Sequence, residues 1–153
     1  MPLSKFDIRP ATSKEIAPVV GLYNLMWVGR KGPPLDLKMA KRFYEGVERN
    51  PDHDMYVAVM EGRIVGVFSL LVDKVSRVEC GCRVRLENVA VHPKYRGQGI
   101  GKEIICFVKN RCREVGCDTV LHATHAKRGE ADSFYESLGF RREGYHLVLK
   151  LED

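Results

Sequence analysis

The sequence lacks a long, uninterrupted apolar run. Its 153 residues contain no stretch that approaches the roughly 18 apolar residues needed by a membrane-spanning helix. The longest run, Val65 to Val72, is broken by Ser69. The N-terminus also has no charged segment followed by an apolar one, which is the pattern of a secretory signal. We therefore expect a soluble, cytoplasmic protein with no membrane partner.

The cysteines are few and odd in number, at Cys80, Cys82, Cys106, Cys112 and Cys117. Reduced thiols in a cytoplasmic compartment are the simpler interpretation of such a set. Taken together with His122 and His125, these cysteines match no standard zinc spacing. We therefore expect structural thiols and surface histidines, and no metal site.

Internal repeats, low-complexity tracts and linkers are also absent from the sequence. With 153 residues, 44% of them hydrophobic, the chain can bury one substantial core, so we expect a single domain over residues 1–153. The formal net charge of +5 suits a phosphorylated ligand, although nucleic acid or an acidic surface would also be attracted. Charge alone does not choose between these partners.

Apolar periodicity changes between helical and strand spacing along the chain. It predicts a strand, two helices, three strands, a helix, a strand, a helix and a last strand, which is the order of a mixed sheet with helices on its faces. The predicted elements are Phe6 to Arg9, Ile16 to Trp27, Leu37 to Val47, Met55 to Met60, Arg63 to Val72, Cys82 to His92, Ile100 to Val115, Thr119 to Thr124, Glu130 to Leu138 and Tyr145 to Leu151.

Three local features qualify these elements. Thr12 followed by Glu15 is a capping-box pattern ahead of the first helix. Pro18 lies inside that helix and would cost it a hydrogen bond, so the regular helix is expected to begin nearer Pro18 or to bend there. Asn88 is a poor strand former within the strand from Cys82 to His92. It indicates a bulge that splays this strand from its neighbour and leaves backbone groups free to bind a ligand.

The stretch from Leu86 to Lys102 joins a strand, a proline turn, a basic segment and a loop with glycine at every second position to a long helix. This order suits a pyrophosphate, because glycines allow a close backbone approach and the first N–H groups of a helix lack partners within it. A dinucleotide-binding fingerprint would need glycine at Lys102, and a phosphate loop would need Ser or Thr at Glu103. Neither of these motifs fits.

The pattern Arg96-x-x-Gly99-x-Gly101 does fit a family, since it follows the strand end Val89 to Pro93 and precedes a second block by about 30 residues. That block is Ala131-x-x-Phe134-Tyr135-Glu136-Ser137-Leu138-Gly139-Phe140. The two blocks, in this order and at this separation, closely resemble the GCN5-related N-acetyltransferases, called the GNAT superfamily. The segment with Lys127 and Arg128 is similar to the branch that includes aminoalkylphosphonate acetyltransferases.

The resemblance covers Phe6 to Leu151 and implies a fold of the α/β (α+β) class. We expect a single-domain GNAT fold whose mixed, mostly antiparallel central sheet has about six to seven strands, flanked by about four helices, with a splayed strand at the cofactor site. The cosubstrate implied is acetyl coenzyme A. Arg128 stands where the family usually has an asparagine, and the implied cofactor-binding residues are Val89, Ala90, Val91, Arg96, Gly97, Gln98, Gly99, Ile100, Gly101, Lys102 and Arg128.

Acetylation of an alkyl ammonium group needs a proton acceptor for the amine and benefits from a proton donor for the departing thiolate. By resemblance, Tyr135 is the general acid, and Glu87 stands where many relatives carry a carboxylate that takes the amine proton. A backbone N–H near Val91 is expected to polarise the acetyl carbonyl. The pattern also allows plainer roles, since Tyr135 lies in a core stripe and Glu87 suits an ion pair or a solvated strand position.

These observations predict an N-acetyltransferase that transfers acetyl from acetyl coenzyme A to a primary amine by direct attack in a ternary complex. The expected acceptor is a small amine such as an aminoalkylphosphonate, an amino sugar or a polyamine, with no nucleic-acid partner. The basic loop from Arg30 to Pro34 is either solvated or a lid over an anionic substrate. Acetylation of protein N-termini and a non-catalytic coenzyme A-binding module are the alternatives, and a homodimer is left open.

Overall fold

The computed structural model describes residues 5–26, 33–76, 81–124, 129–144 and 147–151. By its contacts the chain divides into two compact units, Met1–Leu121 and His122–Asp153. The larger unit holds the sheet and three of the helices, and the smaller unit holds the fourth helix. The single domain expected over residues 1–153 stays a prediction.

The order of the elements follows the predicted one as far as the fourth helix. The bounds are β1 Asp7–Pro10, a 3-10 turn Ser13–Glu15, α1 Ile16–Met26, α2 Leu37–Arg49, β2 His53–Met60, β3 Arg63–Ser76, β4 Gly81–Val91, a 3-10 turn Pro93–Tyr95, α3 Ile100–Glu114, β5 Thr119–His122 and α4 Gly129–Ser137. The strands lie side by side in chain order, and the pairs β1–β2, β2–β3 and β3–β4 are antiparallel. The α/β class and the four helices are therefore confirmed.

The prediction of six to seven strands is wrong, since the described residues form five. Of the expected last strand, Tyr145 to Leu151, residues 145 and 146 lie outside the described residues, and residues 147–151 are not in a strand. Their apolar side chains are exposed, Leu147 to 92%. Alternating apolar residues favour an extended backbone, but a strand also needs a partner for its ladder, which the local pattern does not supply.

The structure resolves the question that Pro18 raised. Because α1 begins at Ile16, Pro18 lies in the first helical turn. A backbone N–H there has no partner within the helix, so proline loses little by lacking one. The capping-box pattern also forms, since the Thr12 backbone N–H donates to the Glu15 carboxylate at 2.8 Å. The Glu15 carboxylate in addition accepts from the guanidinium of Arg9, with Nη1 to Oε2 at 3.1 Å.

Apolar side chains cover both faces of the sheet. On one face, Val57, Val67 and Ala90 belong to a core cluster with the buried residues of α1 and α2. On the other face, Phe68 is fully buried, and its ring packs on Tyr56 and on Phe107 of α3, with ring centroids 5.3 Å and 5.9 Å away. The layers on the two faces hold β3 and β4 at the centre of the larger unit.

The Arg9 and Glu15 pair predicts a pH dependence of stability. Its hydrogen bond to Arg9 holds the pKa of the Glu15 carboxyl below its ordinary value in the folded protein. The carboxylate therefore contributes stability that is fully present above the unfolded pKa and is lost as the pH falls through the folded one. We expect Glu15→Gln to lower the free energy of unfolding at pH 7 and to flatten its decline toward pH 3, as measured by denaturant titration.

The exposed Glu45 of α2 supplies the control. Glu45→Gln removes the same charge without a capping interaction, so it should leave the free energy of unfolding and its pH profile close to those of the unchanged protein. Equal effects of the two substitutions would contradict the assignment of the Glu15 contacts as stabilising.

Candidate functional site

Strand β4 carries a bulge where the sequence predicts one. Val67 of β3 lies opposite Ala90, and Ser69 lies opposite Glu87. Two steps along β3 therefore match three steps along β4, so β4 holds one extra residue between these pairs. Asn88 lies in this interval with a φ of 53°, in the left-handed region. The prediction of a bulge at Asn88 is confirmed.

The extra residue changes which way the side chains of β4 face. Val67 and Ser69 are two residues apart on β3, so they share a face, and so do their partners Ala90 and Glu87. In a regular strand, residues three apart would face opposite sides. Because Val67 and Ala90 belong to the core cluster with α1 and α2, Glu87 lies on the α1 and α2 side of the sheet.

Glu87 is half-exposed on this strand. Its side chain is 39% accessible, and one carboxylate oxygen lies 3.9 Å from Nη1 of Arg85. This long contact with a neighbour on the same strand is of the surface kind that contributes little to stability. The carboxylate is therefore accessible both to water and to a proton donor from a ligand.

The bulge is held from two sides by hydrogen bonds. The Tyr23 hydroxyl of α1 donates to the Asn88 carbonyl oxygen at 2.6 Å. From β3, the buried Ser69 hydroxyl donates to the Glu87 carbonyl oxygen at 3.3 Å and accepts from the Asn88 side-chain amide at 3.5 Å. Sequence reasoning missed Tyr23 and Ser69, because each looks like an ordinary member of its helix or strand pattern.

A disulfide joins Cys82, near the start of β4, to Cys117, just before β5, with their Cα atoms 4.6 Å apart. The prediction of reduced thiols is therefore wrong for this pair. The cysteines are 35 residues apart in sequence, and only the crossover through α3 brings them together. Cys106 and Cys112 are free, and Cys80 lies outside the described residues.

The same bridge indicates how far β5 accompanies β4. Cys82 is the second residue of β4 and Cys117 is two residues before β5, so both strands start at the same end and run parallel. β5 has four residues and β4 has eleven. At roughly 3.3 Å a residue, β5 accompanies only the first half of β4. The backbone of residues 89–91 extends past the reach of β5, as a splayed strand requires.

The loop after β4 has the geometry of an anion site. Gly97 and Gly99 have φ values of 75° and 88°, in the left-handed region that only glycine adopts without strain. A Cβ added at either position would meet nothing within 4 Å, so open space lies beside the backbone. Helix α3 begins directly after Gly99, whose carbonyl accepts from the Glu103 N–H at 3.0 Å.

The other residues of this loop differ in which of their groups are accessible to a ligand. Ile100 is buried, so only its backbone is available to a ligand, whereas the side chains of Gln98 and Lys102 are exposed. Arg96 is exposed but turns back toward β4, where its Nε donates to the Val91 carbonyl oxygen at 3.3 Å and its Nη2 lies 2.8 Å from the Met26 sulfur. Its remaining N–H groups and the positive end of the α3 dipole favour an anion.

In the smaller unit, Tyr135 is buried on α4 among other rings. The ring centroids of Phe134, Phe140 and His122 lie 5.2 Å, 5.4 Å and 4.3 Å from its own. Of the expected core stripe, Tyr135 is buried, whereas Phe134 is 38% exposed. Sequence reasoning treated His122 as a surface histidine, with a metal ligand as the alternative, and missed its contact with Tyr135, because the two residues are distant in sequence.

Some predicted residues lie outside the described residues, namely Arg128 with its neighbour Lys127, His125, and most of the basic loop, residues 30–32. Across the part of the chain that the structure describes, no group of three or more His, Cys, Asp or Glu side chains is arranged to hold a metal ion. In that same part, none of the helices has the length and apolar character needed to span a bilayer.

Comparison with known proteins shows the family. The model of the Acetyltransferase (GNAT) domain family matches residues 51–142, which is more than half of the chain. The chain therefore belongs to the GNAT family of acyl coenzyme A-dependent N-acetyltransferases, whose acetyl donor is acetyl coenzyme A. The resemblance drawn from the two sequence blocks and the predicted cosubstrate are confirmed.

Individual relatives agree with this family. Glucosamine 6-phosphate N-acetyltransferase of Arabidopsis thaliana is 27% identical over 118 residues, covering 76% of this chain and 77% of that protein. Aminoalkylphosphonate N-acetyltransferase of Salmonella typhimurium is 24% identical over 112 residues, covering 71% of this chain and 72% of that protein. A solved structure described as a transcriptional regulator from Bacillus halodurans C-125 has a TM-score of 0.82 at 26% identity, covering 95% of this chain and 99% of that one.

Proposed function

We propose that this protein acetylates the primary amine of a small molecule that also carries a phosphate or phosphonate group. The proposal is supported by a chemical feature that the substrates named for two relatives have in common. Glucosamine 6-phosphate and an aminoalkylphosphonate both combine an amine with a phosphorus oxyanion, and the enzymes named for them each match more than two thirds of this chain. The net charge of +5 is consistent with such an acceptor.

The donor would bind along β4 and the glycine loop. The backbone of Val89, Ala90 and Val91 extends past the reach of β5, so its polar groups are available to the amide groups of the pantetheine arm. The pyrophosphate would lie at the start of α3, near the N–H groups of the loop and first turn, with further contacts from Arg96, Gln98 and Lys102. Arg128 remains a proposed contact by resemblance.

Two side chains would move the protons. Glu87 accepts a proton from the ammonium group, directly or through water, and its half-exposed carboxylate suits either route. The neutral amine then attacks the thioester carbon while a backbone N–H near Val91 stabilises the developing oxyanion. As the carbon–sulfur bond breaks, the Tyr135 hydroxyl gives its proton to the sulfur. The second proton that the nitrogen must lose to become an amide passes, directly or through water, to the Tyr135 phenolate, so that amide and free thiol leave with the tyrosine restored.

One observation favours a second function. The similar structure described as a transcriptional regulator raises the alternative of a coenzyme A-binding module without turnover. Such a module would need the same binding site for coenzyme A, along β4 and the glycine loop, but neither the general base nor the general acid. Turnover with amines therefore separates the two functions.

The proposed acceptor class is tested with matched pairs of amines, measured by release of free thiol from acetyl coenzyme A. We expect glucosamine 6-phosphate to exceed glucosamine, and 2-aminoethylphosphonate to exceed ethanolamine, by about tenfold or more in kcat/KM, or ~1.4 kcal/mol, because a charged phosphorus group adds ionic hydrogen bonds. Spermidine and a peptide with a free N-terminus complete the panel. Turnover of the peptide alone would contradict the proposal, and coenzyme A binding with no turnover would favour the binding module.

Tyr135→Phe tests the general acid. We expect kcat for the best acceptor to fall by about 10² to 10⁴, with KM little changed, because the thiolate must then leave without a proton donor. Tyr56→Phe is the control, since Tyr56 is also a buried tyrosine, and its hydroxyl bonds to Asp54 at 3.3 Å and to the Arg111 side chain. An unchanged kcat in Tyr135→Phe would assign Tyr135 to core packing alone.

Gly99→Ala tests the proposed pyrophosphate site at the start of α3, and its effect is measured by calorimetric titration with coenzyme A. The change forces an L residue into the left-handed region, at a cost of about 1–2 kcal/mol in stability, and places a methyl group beside the N–H groups proposed to bind the pyrophosphate. We expect coenzyme A to bind about tenfold more weakly, or ~1.4 kcal/mol.

Gly116→Ala is the matched control for this experiment. Gly116 follows the other end of α3 with a φ of 78° and equally open surroundings, so its replacement carries the same backbone strain. It should lower the free energy of unfolding by a similar amount while leaving coenzyme A affinity unchanged. Equal loss of affinity in both variants would contradict a binding site at the start of α3.

A further inference from the structure

A tyrosine on α1 holds the bulge of β4. The Tyr23 hydroxyl donates to the carbonyl oxygen of Asn88 at 2.6 Å, across 65 positions of sequence. Asn88 is the residue with the left-handed φ, a conformation that a non-glycine residue adopts at a cost. The ladder between β3 and β4 is interrupted at this point, and Tyr23, from outside the sheet, supplies a donor to the carbonyl.

The bond from Tyr23 complements those from β3. Ser69, only 1% exposed, binds the Glu87 carbonyl and the Asn88 side chain from within the sheet. Those contacts hold the residues beside the bulge, whereas Tyr23 holds the Asn88 carbonyl, and so the direction of the peptide that leads into Val89. Burial raises the pKa of the Tyr23 phenol, which keeps the hydroxyl protonated, as a donor to a carbonyl must be.

We propose that Tyr23 is a positioning residue, which sets the direction of the backbone at residues 89–91 and so the affinity for coenzyme A. The inference rests on the proposed donor site along that backbone. Without the hydrogen bond, Asn88 can relax toward an ordinary strand conformation, and the N–H and carbonyl groups that follow turn with it. Tyr23 touches no reacting atom in this scheme and acts only through β4.

The chain contains a matched control in Tyr44 of α2. Its hydroxyl also donates to a backbone carbonyl, that of Ala11, at 2.9 Å, and its side chain is buried. Tyr44→Phe thus removes the same chemical group and the same kind of bond, but that bond joins α2 to Ala11 and does not involve β4. A purely structural role for Tyr23 predicts that Tyr23→Phe and Tyr44→Phe behave alike.

The experiment compares the two variants with the unchanged protein by calorimetric titration with coenzyme A. We expect Tyr23→Phe to bind about tenfold more weakly and Tyr44→Phe to bind normally, although both melt at a similarly lowered temperature. In turnover, Tyr23→Phe should raise KM for acetyl coenzyme A more than it lowers kcat. Amide hydrogen exchange without ligand should quicken at residues 89–91 in Tyr23→Phe and remain unchanged there in Tyr44→Phe.

The outcomes separate this inference from the function on which it rests. Equal affinity in Tyr23→Phe and the unchanged protein would overturn the positioning role alone, as would an equal loss in Tyr44→Phe. An unchanged protein that binds no coenzyme A would overturn the proposed donor site and this inference together.

Discussion

The candidate site depends on one extra residue in β4. Inserted between the pairs Val67–Ala90 and Ser69–Glu87, it leaves Asn88 with a left-handed backbone and puts Glu87 on the same face as Ala90. A regular strand would point Glu87 toward the opposite helix layer. The bulge also separates the two halves of β4, because the first half lies beside β5 and the second extends beyond it. One local irregularity thus places a carboxylate on this face, and the shortness of β5 leaves the end of β4 beyond its reach.

The position of the anion site in the glycine loop is set by the end of this strand. Arg96 binds the carbonyl of Val91, so the glycine loop starts from a fixed point on the sheet. The left-handed Gly97 and Gly99 then turn the chain into α3, and buried Ile100 anchors the first helical turn in the core. N–H groups at a helix start attract anions only if the helix is held in place. Packing and anion binding are therefore supplied by neighbouring residues of one short segment.

Local features could be predicted from the sequence, whereas contacts between distant residues could not. The capping interaction of Glu15, the bulge at Asn88 and the start of α3 each follow from the chemistry of adjacent residues. The disulfide of Cys82 and Cys117 and the bond from Tyr23 to β4 join residues 35 and 65 positions apart, which only the folded sheet brings together. The expected strand from Tyr145 fails for a related reason, because its apolar alternation describes one strand and not its partner.

The two proposed catalytic groups have environments that suit opposite tasks. Glu87 is half-exposed and loosely paired, so a proton that it accepts can pass to water and the carboxylate can be regenerated. Tyr135 is buried among Phe134, Phe140 and His122, where few waters compete for its hydroxyl. Base and acid would therefore be distinguished by exposure as well as by chemistry.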